Sequence, residues 1–221
     1  MMTYVVWDWN GTLLDDTSAA LGALNTMLAR RGKRPVSLDF YRERFAFPVR
    51  PFYTECGFDL ASENWDSIAV EYHDAYARGV RSLARGAVEA LASAGGAAAG
   101  QSLLSALRQD KLERDAAEFG VAGCFEFIQG TDNLDGASKT TAALRLVQRI
   151  RSAHPDRDLE LVVIGDAVHD SEVADSIGAR CVLFSGGSHA AHRLSPLAPV
   201  CATLAEAVDI ALGLTCDKEM Q

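Results

Sequence analysis

Leu159-Glu160-Leu161-Val162-Val163-Ile164 carries the strongest strand signal in the chain, and it stops at Gly165-Asp166. An apolar run of this length, bounded by a turn signal, is expected of a strand buried on both faces. Such a strand needs helices above and below it, and the flanking sequence supplies candidates. Downstream, the pattern predicts a helix over 170–177, a strand over 181–184 and a closing helix. That closing helix opens at Thr203-Leu204-Ala205-Glu206, the spacing of a capping box. Upstream it predicts helices over 87–94, 110–119 and 138–152, with strands over 101–105 and 125–129. Alternating strands and helices predict an α/β fold, a doubly wound parallel sheet of Rossmann-like type. In such sheets, ligands lie at the carboxyl ends of strands, near the point where strand order reverses.

At the other end of the chain, Tyr4-Val5-Val6-Trp7 reads as a buried strand ending at Asp8, before the turn-forming Asn10-Gly11. Leu21, Leu24 and Leu28 follow at helical spacing, with Arg30 and Arg31 in the last turn and Gly32 as the stop. From Ser37 to Gly79 the chain is rich in aromatics and helix formers, is broken by Pro48 and Pro51, and has no period-two run. The expected organisation is a core of residues 1–15 and 86–221, with a small all-helical cap over 16–85 inserted after the first strand.

The composition bounds the function. At 221 residues, 48% hydrophobic and 23% charged, the chain has apolar material for a real core, which excludes disorder, collagen and disulfide scaffolds. Lys and Arg total 21 against 30 Asp and Glu, a formal charge of -9 that repels polyanions. No nucleic acid and no anionic membrane is therefore expected as a partner. The five cysteines are odd in number and lack a C-x-x-C pair, which suits buried thiols in a reducing compartment. Met1 to Trp9 shows no basic region followed by an apolar one. Ala90 to Leu107 is too weakly apolar, and too broken by Gly95 and Gly96, to span a bilayer. A cytoplasmic monomer or homodimer is the expectation.

Three predicted strand ends carry related chemistry: Asp8, Ser105, and Asp166 with Asp170. Side by side, they would gather three carboxylates, one hydroxyl and the Lys139 ammonium. Oxygen ligands from Asp8, Asp166 and Asp170 favour a hard cation, Mg2+ above others. Crowded carboxylates repel one another unless a dication sits among them. Lys139 and Ser105 would then face a second anion, for which a phosphoryl group is the natural candidate. Lys139 supports this reading because a cation at a helix N-terminus opposes the helix dipole. His189 and His192 follow Gly186-Gly187 with no carboxylate or cysteine beside them in the sequence, and are not read as ligands.

Asp8-Trp9-Asn10-Gly11-Thr12-Leu13 resembles the first motif, D-x-D-G-T-L, of the haloacid dehalogenase superfamily of phosphohydrolases. Leu103-Leu104-Ser105 is similar to its second motif, Lys139 stands where the third supplies a lysine, and Gly165-Asp166-x-x-x-Asp170 resembles the fourth. The order and the position of the insert resemble the phosphoglycolate phosphatase-like branch. The resemblance implies an Mg2+-dependent phosphatase acting on a small phosphorylated metabolite. It implies Asp8 as nucleophile, forming an aspartyl-phosphate that water hydrolyses. Mg2+ would be held by Asp8, the Asn10 carbonyl, Asp166 and Asp170. Ser105, Lys139 and the backbone around Gly11 and Thr12 would bind the phosphoryl oxygens, and Arg50 in the cap is the candidate contact for the rest of an anionic substrate. The cap aromatics Phe45, Phe47, Phe52 and Tyr53 are further candidates to read substrate, beside the reading of most of that stripe as cap core.

Asn10 departs from the motif. It stands where the second aspartate acts as general acid, and an amide has no titratable proton near neutral pH. Three readings remain: a leaving group needing little protonation, a proton from Asp15, His169 or a cap-held water, or a protein that binds phosphate without useful turnover. A carbon–halogen hydrolase of the same superfamily is the further alternative, disfavoured by Asp166 and Asp170, because that chemistry needs no metal.

Overall fold

The computed structural model describes residues 1–132 and 139–214. Its centre is a six-stranded parallel sheet of β1 (Met2–Trp7), β4 (Gln101–Arg108), β5 (Phe127–Thr131), β6 (Leu159–Gly165), β7 (Arg180–Phe184) and β8 (Val200–Cys201). The spatial order is β5-β4-β1-β6-β7-β8. The chain therefore builds outward from β1 on one side, returns, and builds outward on the other. The reversal lies between β1 and β6, where a crevice opens at the strands' carboxyl ends.

Alternation along β1 divides the core. Val5 and Trp7 face one side, with α5 (Ala87–Ala97), α6 (Gln109–Glu118) and α10 (Leu204–Leu212). Tyr4 and Val6 face the other, under α7 (Lys139–Ala153) and α8 (Val168–Ile177). The register pairs Trp7 with Leu103 on one neighbour and with Ile164 on the other. Residues just beyond position 7 therefore emerge between the ends of β4 and β6.

Between β2 (Leu14–Asp15) and β3 (Ser82–Leu83), which pair antiparallel, the chain forms α1 (Thr17–Arg30), α2 (Leu38–Arg44), α3 (Val49–Glu55) and α4 (Trp65–Tyr76). These helices bury a separate cluster that includes Leu24, Met27, Leu28, Phe52, Phe58 and Ile68. The span expected to be all helical thus holds β3 at its end. Two residues are too few to show a period, and the pairing partner lies far away in sequence.

Several boundaries differ from expectation for local reasons. β4 runs on to Arg108, but its pairing with β5 shifts register between Leu104 and Arg108. This irregularity is where Ser105 sits, and strand breaks of this kind re-aim side chains. α5 continues through Gly95 and Gly96 to Ala97. α8 starts at Val168, not Asp170, because Asp170 accepts from the N-cap amide of Ala167 at 2.9 Å. α10 keeps its expected capping box, with the Glu206 amide donating to Thr203 at 3.2 Å. Among the described cysteines all are free thiols, but only Cys201 is buried and Cys124 is exposed. Ser138 and Cys216 lie outside the described residues. No helix among the described residues is long and apolar enough to cross a membrane.

Candidate active site

Asp8 follows β1 immediately, and its amide donates to the Ile164 carbonyl at 2.8 Å, one residue before β6 ends. The strand is extended by one bond, and the Asp8 carboxylate is set at the mouth of the crevice. The next turn is anchored from below by Trp9, Leu13 and Leu14, all fully buried. Gly11 has φ 78, and a Cβ there would collide with the Asp166 carboxylate. Gly187 does the same from the opposite side, where a Cβ would meet both Asp166 and the Gly11 carbonyl. Two glycines thus let two backbone loops close on one carboxylate.

One oxygen from each of Asp8, Asp166 and Asp170 lies within 4.8 Å of the others, and all three residues are buried. Lys139, itself 4% exposed, forms ion pairs with Asp8 and with Asp170 Oδ1, the latter at 2.5 Å. Asp166 accepts from Thr12 Oγ1 at 3.0 Å and from the Ser188 amide and hydroxyl at 2.6 and 2.5 Å. Asp170 Oδ2 takes the backbone amides of Asp166 and Ala167 at 3.1 and 2.9 Å.

Three carboxylates against one ammonium leave an excess of two negative charges in a water-poor place. Burial raises the Asp8 carboxyl well above its ordinary range, against Lys139, and Asp170 and Asp166 push it further up. Burial and the neighbouring Asp170 bring Asp166 to about 6, opposed by Ser188 and Thr12. Asp170 alone is held below the usual range: burial acts against it, but Lys139 and the Ala167 amide prevail. Burial would lower Lys139, but Asp170 and Asp8 carry it above its ordinary value. An all-oxygen donor set with surplus negative charge fits a hard dication.

These groups form the polar end of a cavity of about 570 Å³ lined by core and insert alike. Ser105, 1% exposed, is on its wall, its Oγ accepting from the Leu107 amide at 3.2 Å. Arg50 is on the wall too, from α3, with its guanidinium 4.9 Å above the Trp65 ring. Asp8, Asn10, Gly11, Ser105, Lys139, Asp166 and Asp170 therefore meet in one place.

Two expected phosphoryl contacts have other partners here. Thr12 is fully buried beneath the acids, off the cavity wall, and its hydroxyl donates to Asp166. The Gly11 amide donates to the Leu14 carbonyl at 2.9 Å and to Asp16 Oδ1 at 2.8 Å, so it is already engaged. Phe45, Phe47, Phe52 and Tyr53 all line the cavity; Phe45, Phe52 and Tyr53 also belong to the insert's core cluster, and Phe47 packs against Phe45 and His169.

Other residues had no clear signal in the sequence. Asp15 is exposed, whereas its neighbour Asp16 points inward and lines the cavity. Asp16 stands at the N-cap position of α1 but makes no cap bond. Its Oδ2 accepts from Asn10 Nδ2 at 2.7 Å and from the Tyr76 hydroxyl at 2.5 Å. Burial raises the Asp16 carboxyl, against the bonds from Tyr76, Asn10 and Gly11. Ser188 was signalled only by the Gly186-Gly187 pair before it. His189 is buried, and its Nδ1 accepts the Val168 amide at 3.0 Å, which satisfies an orphan donor at the start of α8.

Residues 5–184 match the family model described as haloacid dehalogenase-like hydrolase. No curated protein sequence matches the chain. Among solved structures, a haloacid dehalogenase-like protein of unknown function from Agrobacterium tumefaciens is 19% identical with a TM-score of 0.76, covering 98% of this chain and 100% of that one. Protein Tyrosine Kinase A of Mycobacterium tuberculosis is 24% identical with a TM-score of 0.75, covering 96% and 98%. A predicted phosphoglycolate phosphatase from Haemophilus somnus is 14% identical with a TM-score of 0.70, covering 94% and 96%.

Proposed function

The chain belongs to the haloacid dehalogenase-like hydrolases, and from that premise we propose that it is an Mg2+-dependent phosphate monoester hydrolase. The observation that carries this reading is Lys139 wedged between Asp8 and Asp170, with Asp166 beside them, at the floor of a cavity. Halide displacement from carbon has no use for a metal-binding cluster of three carboxylates, since that chemistry needs no dication. A phosphoryl group does.

In this reading Asp8, Asp166 and Asp170 would hold Mg2+, and the ion would supply charge neutralisation for the phosphoryl group. Lys139 and Ser105 orient the phosphoryl group over Asp8. An Asp8 oxygen forms a bond to phosphorus while the ester P–O bond breaks, and the leaving oxygen departs with the electron pair. Water then adds to phosphorus, the P–O bond to Asp8 breaks, and the carboxylate is restored as inorganic phosphate leaves. Asp170 keeps Lys139 in place through its ion pair, and Thr12 and Ser188 keep Asp166 in place through hydrogen bonds. The helical insert covers the cavity and excludes water.

The test is phosphate release from a panel of monoesters with and without Mg2+, comparing the wild type with Asp8→Asn. Release that needs Mg2+ and disappears in Asp8→Asn is expected. Release that survives Asp8→Asn would overturn the assignment of the nucleophile.

A further inference from the structure

We infer that the monoester taken by this site is an aryl phosphate, a phosphate carried on an aromatic hydroxyl, with its ring in the apolar half of the cavity. This rests on the hydrolase reading above and adds the substrate class to it. Two independent observations carry it.

The first is the wall. Beyond the carboxylates the cavity is faced by Phe45, Phe47, Phe52, Tyr53, Trp65 and Tyr72, all from the helical insert. The rings already meet edge to face: Phe45 and Phe52 at 5.5 Å and 89°, Tyr53 and Trp65 at 5.6 Å and 76°. That geometry accepts another flat ring at little cost in rearrangement. The cavity, of about 570 Å³, extends from the carboxylates to these rings. A two-carbon phosphate would fill only the polar end and leave the aromatic walls facing water.

The second is the leaving group. Asn10 has no proton to give, and its Nδ2 is donated to Asp16 Oδ2 at 2.7 Å and to the Tyr76 oxygen at 3.1 Å. Asp16 in turn accepts three hydrogen bonds, from Gly11, Asn10 and Tyr76, so it serves as an acceptor. An alkoxide is about as basic as hydroxide, whose parent water has a pKa near 15.7, and it leaves poorly without an acid. A phenol has a pKa of about 10, so its oxygen departs as phenolate and takes its proton from solvent afterwards. Esters of aromatic hydroxyls are the monoesters for which an amide at position 10 costs least.

The experiment compares phenyl phosphate with cyclohexyl phosphate, a saturated ring of similar size, and with glycerol phosphate, all in the presence of Mg2+. In parallel, binding of phenylphosphonate and methylphosphonate is measured by calorimetry on the wild type and on Phe47→Ala. Expected are a kcat/KM at least a hundredfold higher for phenyl than for cyclohexyl phosphate, and rates that climb as the phenol is made more acidic. Phenylphosphonate should bind at least tenfold tighter than methylphosphonate, and Phe47→Ala should narrow that gap.

Alkyl esters hydrolysed as fast as phenyl phosphate would overturn the inference and leave the hydrolase reading standing. Rates independent of phenol acidity would also overturn it, since a side chain such as His169, whose buried Nε2 on the cavity wall has no partner among the described residues, would then be protonating the leaving oxygen. No phosphate release from any ester, with phenylphosphonate still preferred, would sink the hydrolase reading and keep aryl-phosphate recognition. No release and no preference would sink both.

Discussion

Asn10 gives its side-chain N–H to Asp16 Oδ2 at 2.7 Å, across the turn that joins the first strand to the helical insert. The amide is the right partner for a buried acceptor, and a carboxylate in its place is not. This relationship explains why an amide is stable at a position where the resemblance implies an acid.

Asn10→Asp should therefore fail as a simple gain-of-acid variant. It puts two carboxylates in contact and removes a donor to a charged acceptor, at a cost of about 1–3 kcal/mol. The paired acids must share a proton, so their folded-state pKa lies above the unfolded value. The loss is then full at high pH and recovers as pH falls. Urea midpoints of Asn10→Asp at pH 8 and pH 5 check this, and Asn10→Asp/Asp16→Asn should restore the midpoint at pH 8.

Mg2+ should stabilise the fold because only the folded chain brings Asp8, Asp166 and Asp170 together. At a hundredfold excess over the dissociation constant the gain is about 2.7 kcal/mol. Melting temperature with increasing Mg2+ should rise for the wild type and stay flat for Asp166→Asn. An equal rise in both would place the ion elsewhere.

His189 predicts an acid-sensitive stability term. Burial, with Arg193 nearby, lowers its folded-state pKa from 6.5 to about 4. Between these values the unfolded chain binds a proton that the folded chain does not. Stability therefore falls as pH drops through this window, by about 3 kcal/mol in total. Denaturation midpoints of the wild type and His189→Asn at pH 4, 5 and 7 should differ in slope, with the variant flatter.

The insert is latched to the core through backbone carbonyls. Arg193 donates to the carbonyls of Arg42 and Phe45 at 2.7 and 3.0 Å, and Arg42 donates to those of Gly187 and Gly186 at 3.0 and 3.1 Å. Arg193→Ala should cost about 1–3 kcal/mol of closure. Amide hydrogen exchange over α2 and α3 is the measurement. Faster exchange there, with β1 and β6 unchanged, is the expected result.

The layered core was legible in the sequence because its signals are periodic and local: the run 159–164, the strand before Asp8, and the alternation of strand and helix patterns after residue 86. So was the acid cluster, because two strand ends carried its three acids and a parallel sheet aligns such ends. The short ribbon of Leu14–Asp15 with Ser82–Leu83 was not legible, since its pairing spans the whole insert. Asp16 was hidden, because nothing in its neighbours distinguishes an inward acid from a solvated one, and Ser188 had only the Gly186-Gly187 pair before it.

Residue order was enough to set five of the six strands of the main sheet, that they run parallel, and which acids stand at their ends, because each depends on runs of neighbouring side chains. The partners of those acids were settled by folding. Asp16 reaches Asn10 through a turn geometry, Ser188 reaches Asp166 from 22 residues away, and the aromatic wall meets Asp8 only where the insert folds back over the sheet. Contacts made across such distances come from the packing of whole elements on one another, and local patterning does not encode them.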